Sequence, residues 1–530
     1  MKYLRDYQRA PVDRLLERGN LLCALDTGGG KTIISIAAAE ELLELGRIKR
    51  VLIICPANLK YQWAEKLAEF TDLPSTVKKL SGTSITIAAE PGCVVIDGTP
   101  ARRKKLYTVA ERAEYVIVGY DAPLLEPSCI RRLNAEMIIL DEASAIKTFA
   151  ARRSKNYKRD LMVPYRLALT ATPVENRPDE LYSIMQWVDP DVLGRWDFFD
   201  AAYIERNKYT NAVEGYKNLD VLNKKVEPAM FRLSADDAEL AQHLPAQQKL
   251  TWHAELTEDE RVVYRMVARL LYDELCSLPA GAAKDLGAYY AGRRVKDSGL
   301  SGAGRVMAKH QALEMFLDHP CLLAWSATRY EDTHGAEGSE FAHDMAGIHD
   351  LESMASSKSA RLVYEVGKIW LNDPRAKVII FSQYKHMLDL LEFELDVEAS
   401  VYTGDLSTRA KAAAVARFRQ DPECNLLLSS HAGAYGTDVP EARWLVNYDL
   451  PWSHGKAHQI NGRNRRVSST FDSINTVNLL VSGTIEERKA YQVGQKSDVA
   501  GAIIDGTGNG HIPNVVTSLK QWLAEELGID

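Results

Sequence analysis

Apolar residues in this chain gather in short, unbroken runs rather than alternating with polar ones. Leu21–Leu25, Val51–Cys55, Val94–Ile96, Tyr115–Val118, Met137–Leu140 and Leu167–Leu169 are such runs. Continuous runs of this length suit strands buried on both faces of a parallel sheet. Between them lie stretches at helical spacing, such as Trp63–Phe70. The rhythm predicts an α/β lobe of stacked layers over residues 1–190. From 191 to 356 strand-like runs nearly vanish. Asp259–Leu275 reads as an amphipathic helix, Leu278–Gly304 is rich in Gly and Ala, and Thr333–Asp350 is polar, so an α-helical insertion with a loop is predicted. The α/β rhythm returns over 357–500 with Val378–Phe381, Ser400–Tyr402, Leu426–Leu428, Trp444–Tyr448 and Val477–Val481. Residues 501–530 read as a tail ending in an amphipathic helix, Val515–Leu527, spaced for surface packing.

Composition narrows the possibilities. A chain of 530 residues is too long for one core. No apolar run approaches the ~20 residues of a membrane span. The opening MKYLRDYQRA has no apolar core of an export signal. A cytoplasmic location without membrane contact is expected. The seven cysteines are scattered, without a CxxC pair, and most sit in apolar runs, as reduced thiols do. The net charge of −7 excludes a globally basic polynucleotide binder, so any such contact must come from a local face. The basic clusters Arg102–Lys105, Arg152–Arg159 and Arg293-Arg294 read first as solvated faces. The His and Cys residues of 310–349 lack zinc-ligand spacing.

The chemistry concentrates in Leu25–Thr32, LDTGGGKT, between a strand and a helix. Gly28, Gly29 and Gly30 let the backbone curl around an anion, with Thr27 at the loop's entry. The loop N–H groups and the helix N-terminus then face phosphate oxygens. Lys31 is placed to reach the β- and γ-phosphates and the Thr32 hydroxyl to hold Mg²⁺. The strict phosphate-loop pattern wants Gly where this chain has Leu25. A second strand, Ile138-Ile-Leu, ends in Asp141-Glu142. Ligands of open α/β sheets bind beyond the carboxyl ends of strands. Asp141 is therefore placed to hold Mg²⁺ through water and Glu142 to orient or deprotonate the attacking water.

With these residues in view, the chain resembles the motors of helicase superfamily two, which have two tandem RecA-like lobes of which one carries the phosphate loop. Asp141–Ser144, DEAS, is similar to their DEAD/DEAH box, and Leu169-Thr170-Ala171-Thr172-Pro173 to their coupling motif. Gln8 stands where the family places an adenine-reading glutamine. Further stretches resemble the Swi/Snf-type branch: Ile54–Trp63 its motif Ia, Val116–Tyr120 its motif Ic, then Glu175-Asn176, Gly215–Leu219, His319-Pro320, Ser356–Lys358 and Gly483–Glu487. Gln459-Ile-Asn-Gly-Arg463-Asn-Arg-Arg466 fits the arginine-finger motif Q-x-x-G-R-x-x-R, with Gln459, Arg463 and Arg466 as its catalytic members and Arg465 the bystander. Gly433–Asp438 fits motif V, with Gly436 and Asp438 at the nucleotide. The chain departs from the branch at Asp438-Val439, where Asn-Leu is usual, and at Phe231-Arg232-Leu233, where paired arginines are usual.

The resemblance implies ATP and Mg²⁺ as cofactors, with Mg²⁺ on Thr32 and Asp141. It implies Thr170 and Thr172 as links between nucleotide and track. It implies nucleic-acid contacts from Ser382 and Gln383 and from the Thr403-Gly404 turn. Such contacts position without reading sequence. Trp452 could stack on a base, although core packing is the commoner use of such a side chain. The implied function is a monomeric ATPase translocating on double-stranded DNA without sequence specificity. Two alternatives stand beside it. One is a strand-separating DNA or RNA helicase, suggested by Asp438-Val439-Pro440. The other is an ATP-switched scaffold with little turnover.

Overall fold

The computed structural model describes residues 4–72, 92–175, 177–206, 208, 213–278, 286, 302–431, 438–504 and 515–529. The chain forms two compact units. The first holds 1–244 and 498–511, the second 245–497 and 512–530.

In the first unit, β1 (Asn20–Leu25), β2 (Val51–Cys55), β3 (Cys93–Val95), β4 (Tyr115–Gly119), β5 (Met137–Asp141) and β6 (Tyr165–Leu169) are the strands expected from the apolar runs. β7 (Ile204–Arg206) and β8 (Val213–Tyr216) form a separate antiparallel hairpin, and β9 (Met230–Leu233) returns to the sheet. The order is β3-β4-β2-β5-β6-β1-β9, every neighbouring pair parallel. All five residues of β2 are buried, as expected of a strand covered on both faces. Helix α1 (Asp6–Arg18) precedes β1 and ends at Gly19, whose φ of 82° lets its N–H turn back to the Leu15 carbonyl. α2 (Lys31–Glu44) follows the glycine loop, and α3 (Lys60–Phe70) follows β2.

In the second unit, β10 (Ala246–Ala254), β11 (Val378–Ser382), β12 (Ser400–Tyr402), β13 (Leu426–Ser430), β14 (Trp444–Asn447) and β15 (Ser473–Val481) make another wholly parallel sheet, in the order β10-β15-β14-β11-β13-β12. Two parallel sheets, each flanked by helices, are the expected tandem RecA-like lobes.

The segment 191–356 does not form a unit of its own. Its first part contributes β9 to the first sheet, and its second part contributes β10 to the edge of the second. β9 has only four residues, and β10 is a mostly exposed edge strand of sequence AQQKLTWHA, so neither has the apolar run of a buried strand. The helices Glu258–Cys276 and Gly302–Asp318 of this segment pack a common core with the chain's last helix, Val515–Leu527, through Tyr264, Leu271, Leu313, Phe316, Leu519 and Leu523.

This helical region is tied to its sheet by one buried cation. Lys358, fully buried, donates at 2.7 Å to Asp318, pairs with Glu486, and lies 4.8 Å from the Tyr448 ring centre. Tyr448 in turn donates to the Asp318 carbonyl at 2.5 Å. Three stretches singled out in the sequence, around His319-Pro320, Ser356–Lys358 and Gly483–Glu487, thus meet at one ammonium. Breaking such a buried pair costs about 3–5 kcal/mol. Among the described residues no helix is long and apolar enough to cross a membrane.

Candidate nucleotide site

The parallel register places the chemistry of the first unit on one edge. Asp141 of β5 pairs with Leu169 of β6, which pairs with Cys23 of β1. Neighbouring strands lie about 4.8 Å apart, so the three Cα atoms form a row roughly 10 Å long. Just beyond it come the glycine loop from β1, Thr170 from β6 and Glu142 from β5. Three motifs far apart in the chain therefore converge at the carboxyl end of one sheet, where α/β folds bind ligands.

Side chains from beneath and beside set the loop's shape. Gly28 and Gly30 have φ of 85° and 88°, which suit glycine alone. A Cβ on Gly29 would meet the Leu25 side chain at 2.7 Å, and one on Gly30 would strike the Gln8 amide. Leu25, the departure from the strict pattern, is thus accommodated by the bare backbone of Gly29 above it. Lys31 Nζ donates to the carbonyls of Leu25 (2.7 Å) and Asp26 (3.3 Å), so its ammonium lies over the strand end. Asp26 is buried and held twice. Its Oδ1 accepts from Arg232 at 3.0 Å and its Oδ2 from the Ala235 N–H at 2.8 Å. Arg232 reaches it because β9 pairs in parallel with β1. The single arginine that departs from the branch's usual pair is thus a brace for the phosphate loop.

Gln8 is buried, with Oε1 accepting from Arg5 N–H (3.0 Å) and Nε2 donating to the Gly29 carbonyl at 3.2 Å. The Tyr7 hydroxyl donates to the same carbonyl at 3.0 Å. The glutamine expected at the adenine is therefore fastened to the phosphate loop.

At the end of β5, the Trp63 indole N–H donates to Asp141 Oδ2 at 2.7 Å. The Tyr120 hydroxyl lies 2.7 Å and 3.1 Å from the carbonyl oxygens of Asp141 and Glu142. Glu142 has φ of 58°, a left-handed conformation uncommon for its type, which re-aims the chain as it leaves the strand. The motif Ia and Ic stretches contain Trp63 and Tyr120, but their spacing assigns neither a role, and the sequence pattern assigns none to Arg232. The available signal was an indole and a phenol, groups that need acceptors when buried, close to strand ends. Thr32 and Asp141 present hydroxyl and carboxylate oxygens, the donor set that suits Mg²⁺.

Thr170 and Thr172 are buried, and the Thr172 N–H donates to Thr170 Oγ1 at 3.1 Å. Lys147, after the DEAS stretch, pairs with Glu175, after the Leu169–Pro173 coupling stretch, at 2.5 Å. The two loops are joined by charge as well as by the sheet.

In the second unit Arg463 and Arg466 both reach Asp438. Arg463 Nη1 lies 3.4 Å from Oδ1, and Arg466 forms a closer pair with the same oxygen. Burial opposes the charge of Asp438, but Arg466, Arg463 and Arg419 outweigh it and hold the carboxyl below its usual pKa. Arg465 instead donates to the Pro245 carbonyl at 3.3 Å. Gln459 is buried on the helix His454–Asn461. Gly436, like Asn176, Arg293, Arg294 and most of Leu278–Gly304, lies outside the described residues.

The expected nucleic-acid contacts divide. Ser382 is fully buried, and its hydroxyl donates to Asp449 at 2.6 Å, with the Gln383 N–H on the same carboxylate at 2.9 Å. The Ser382 hydroxyl, expected at a nucleic acid, is thus bonded to an internal carboxylate in this structure. Gln383 keeps a partly exposed side chain. Thr403 is buried and donates to Asp405, while Gly404 is exposed. Trp452 donates its indole N–H to Glu314 at 3.1 Å, and its ring meets His310 and Lys489, so it is used in packing.

These features define a two-lobed phosphate-loop protein with paired arginines in its second lobe. A model of the SNF2-related domain matches residues 7–300, more than half of the chain, and one of the helicase conserved C-terminal domain matches 357–468. The chain belongs to the SNF2-related family. It is 24% identical over 94% of its length to human (Homo sapiens) TATA-binding protein-associated factor 172, covering 28% of that protein. It is 25% identical over 99% of its length to the putative ATP-dependent helicase/translocase YwqA of Bacillus subtilis, covering 50% of it. The chain thus spans half or less of these relatives. Its fold is similar to the helicase domain of Pyrococcus furiosus Hef, with a TM-score of 0.53, 18% identity, and coverage of 93% of this chain and 98% of that one.

Proposed function

We propose that the chain hydrolyses ATP and uses the energy to move along double-stranded DNA without reading its sequence. The observation that carries this is the single edge shared by Lys31, Asp141 and Glu142, held by side chains from four other segments. Phosphates sit on the N–H groups of Gly28–Thr32, and Lys31 exchanges its two carbonyl partners for phosphate oxygens. Mg²⁺, held by Thr32 and Asp141, neutralises β- and γ-phosphate oxygens when bound. Glu142 orients the attacking water and takes its proton. Arg463 and Arg466 supply planar, permanently charged forks of the kind that stabilise negative charge spreading over phosphate oxygens. Gln8, through Gly29, reports the adenine to the loop. The relatives' names, helicase and translocase among them, support a polynucleotide track, and the motif Ia and Ic stretches favour the duplex-tracking branch. Asp438-Val439-Pro440 favours strand separation instead.

The test is steady-state ATPase of the wild type and Lys31→Ala with duplex DNA, single-stranded DNA and RNA, at low and high salt, beside an unwinding assay. Duplex-selective stimulation that weakens with salt, lost by at least about 10²-fold in Lys31→Ala, is expected. Stimulation by single strands with unwinding supports the helicase instead. Nucleotide binding without turnover on any track overturns the motor reading.

A further inference from the structure

We propose that Trp63 is a positioning residue for the metal-binding carboxylate of Asp141, acting through its indole N–H. The proposal rests on the nucleotide-site reading above.

Trp63 sits in the first turns of α3 and is 3% exposed. An indole N–H is a donor only, and when buried it needs an acceptor. A nearby carbonyl would serve that need. The acceptor found is one oxygen of the carboxylate that ends β5, at 2.7 Å. The choice of donor matters. A lysine or arginine in this place would neutralise Asp141 and compete with a cation for it. A neutral N–H fixes one oxygen and leaves the negative charge for the metal. Outer partners of this kind orient metal ligands in proteins generally.

The donor is itself fixed. At the start of α3, Lys60 Nζ donates to Asp97 Oδ1 at 2.6 Å and to the Ile96 carbonyl at 3.1 Å. The Tyr61 hydroxyl donates to Asp97 Oδ2 at 2.8 Å. Asp97, beyond the end of β3, therefore pins the helix on which the indole rides. Tyr120 holds the backbone of Asp141, whereas Trp63 holds its side chain. The two roles can be separated: Trp63→Phe removes one N–H and keeps the buried ring.

The experiment follows binding of a fluorescent ADP analogue to the full chain by anisotropy while Mg²⁺ is titrated, with urea unfolding run in parallel. Trp63→Phe is expected to need about tenfold more Mg²⁺ for half-maximal binding. Its affinity in EDTA should match wild type, a split that loss of packing alone would not produce. Lys60→Met, which loosens the helix without touching the indole, is expected to shift the Mg²⁺ midpoint the same way by less. It carries the test if Trp63→Phe does not fold. A wild-type Mg²⁺ midpoint in these variants, with Asp141→Asn shifted, overturns the positioning role alone. A wild-type midpoint in Asp141→Asn as well overturns the metal site on which it rests.

Discussion

The carboxyl ends of β1 and β11 make an instructive pair. Both are buried parallel strands whose last residues expose backbone donors at a sheet edge. β1 runs into three glycines, and the groups that brace the loop, Arg232, Gln8 and Lys31, grip its carbonyls and the Asp26 carboxylate. β11 runs into Ser382-Gln383, and the donors there are consumed by the protein's own carboxylate, Asp449. His431, 2% exposed, lies 3.4 Å from that carboxylate. At the end of β1 the acidic residue, Asp26, is held by Arg232 and the Ala235 N–H, whereas at the end of β11 the acidic residue, Asp449, takes the strand-end donors itself.

Cutting the brace of the first unit gives the largest effect. Arg232→Met removes the guanidinium paired with Asp26, whose side chain is 4% exposed. We expect a loss of about 3–5 kcal/mol in stability, read by urea unfolding, together with weaker nucleotide binding. Unaltered nucleotide affinity would show that the brace supports the fold and not the loop.

Next comes pH. Burial pushes His431 down to about 4, against Asp449, which favours its protonated form, while Lys456 and Lys489 disfavour it. A histidine with a depressed folded pKa contributes stability above its unfolded value, near 6.5, and loses it as pH falls towards 4. Between those limits, on the order of 3 kcal/mol should disappear, and His431→Asn should flatten that slope. An unchanged slope in equilibrium unfolding from pH 7 to 4.5 would mean that the closed end of β11 is not held by a neutral ring.

Smallest is Ser382→Ala. It removes one donor from Asp449 and should cost about 1–2 kcal/mol with nucleotide affinity unchanged. A change in nucleotide affinity comparable to that of Arg232→Met would erase the distinction between the two strand ends.

Much of this was legible beforehand, for a physical reason. Strands covered on both faces must be apolar throughout, so β1 to β6 and β11 to β15 announced themselves within a residue or a few of their observed ends. Glycines, Lys31 and the Asp141-Glu142 pair carry chemistry that few other residues could supply. β9 has only four residues and β10 is mostly exposed and polar, which is why both were read as part of a helical insertion. The Asp449 bond of Ser382 was not legible, because a serine at a strand end looks the same whether it faces solvent or a carboxylate.

By itself the sequence determined the two-lobed parallel architecture, the phosphate loop, the carboxylate pair and the arginine motif, since each depends on local composition and short spacing. Only the tertiary structure decided what holds them. Trp63 meets Asp141, Arg232 meets Asp26, and Lys358 joins Asp318 to Glu486 across separations of many tens of residues or more. Which donor finds which buried acceptor is set by strand order and packing, and no local pattern encodes it.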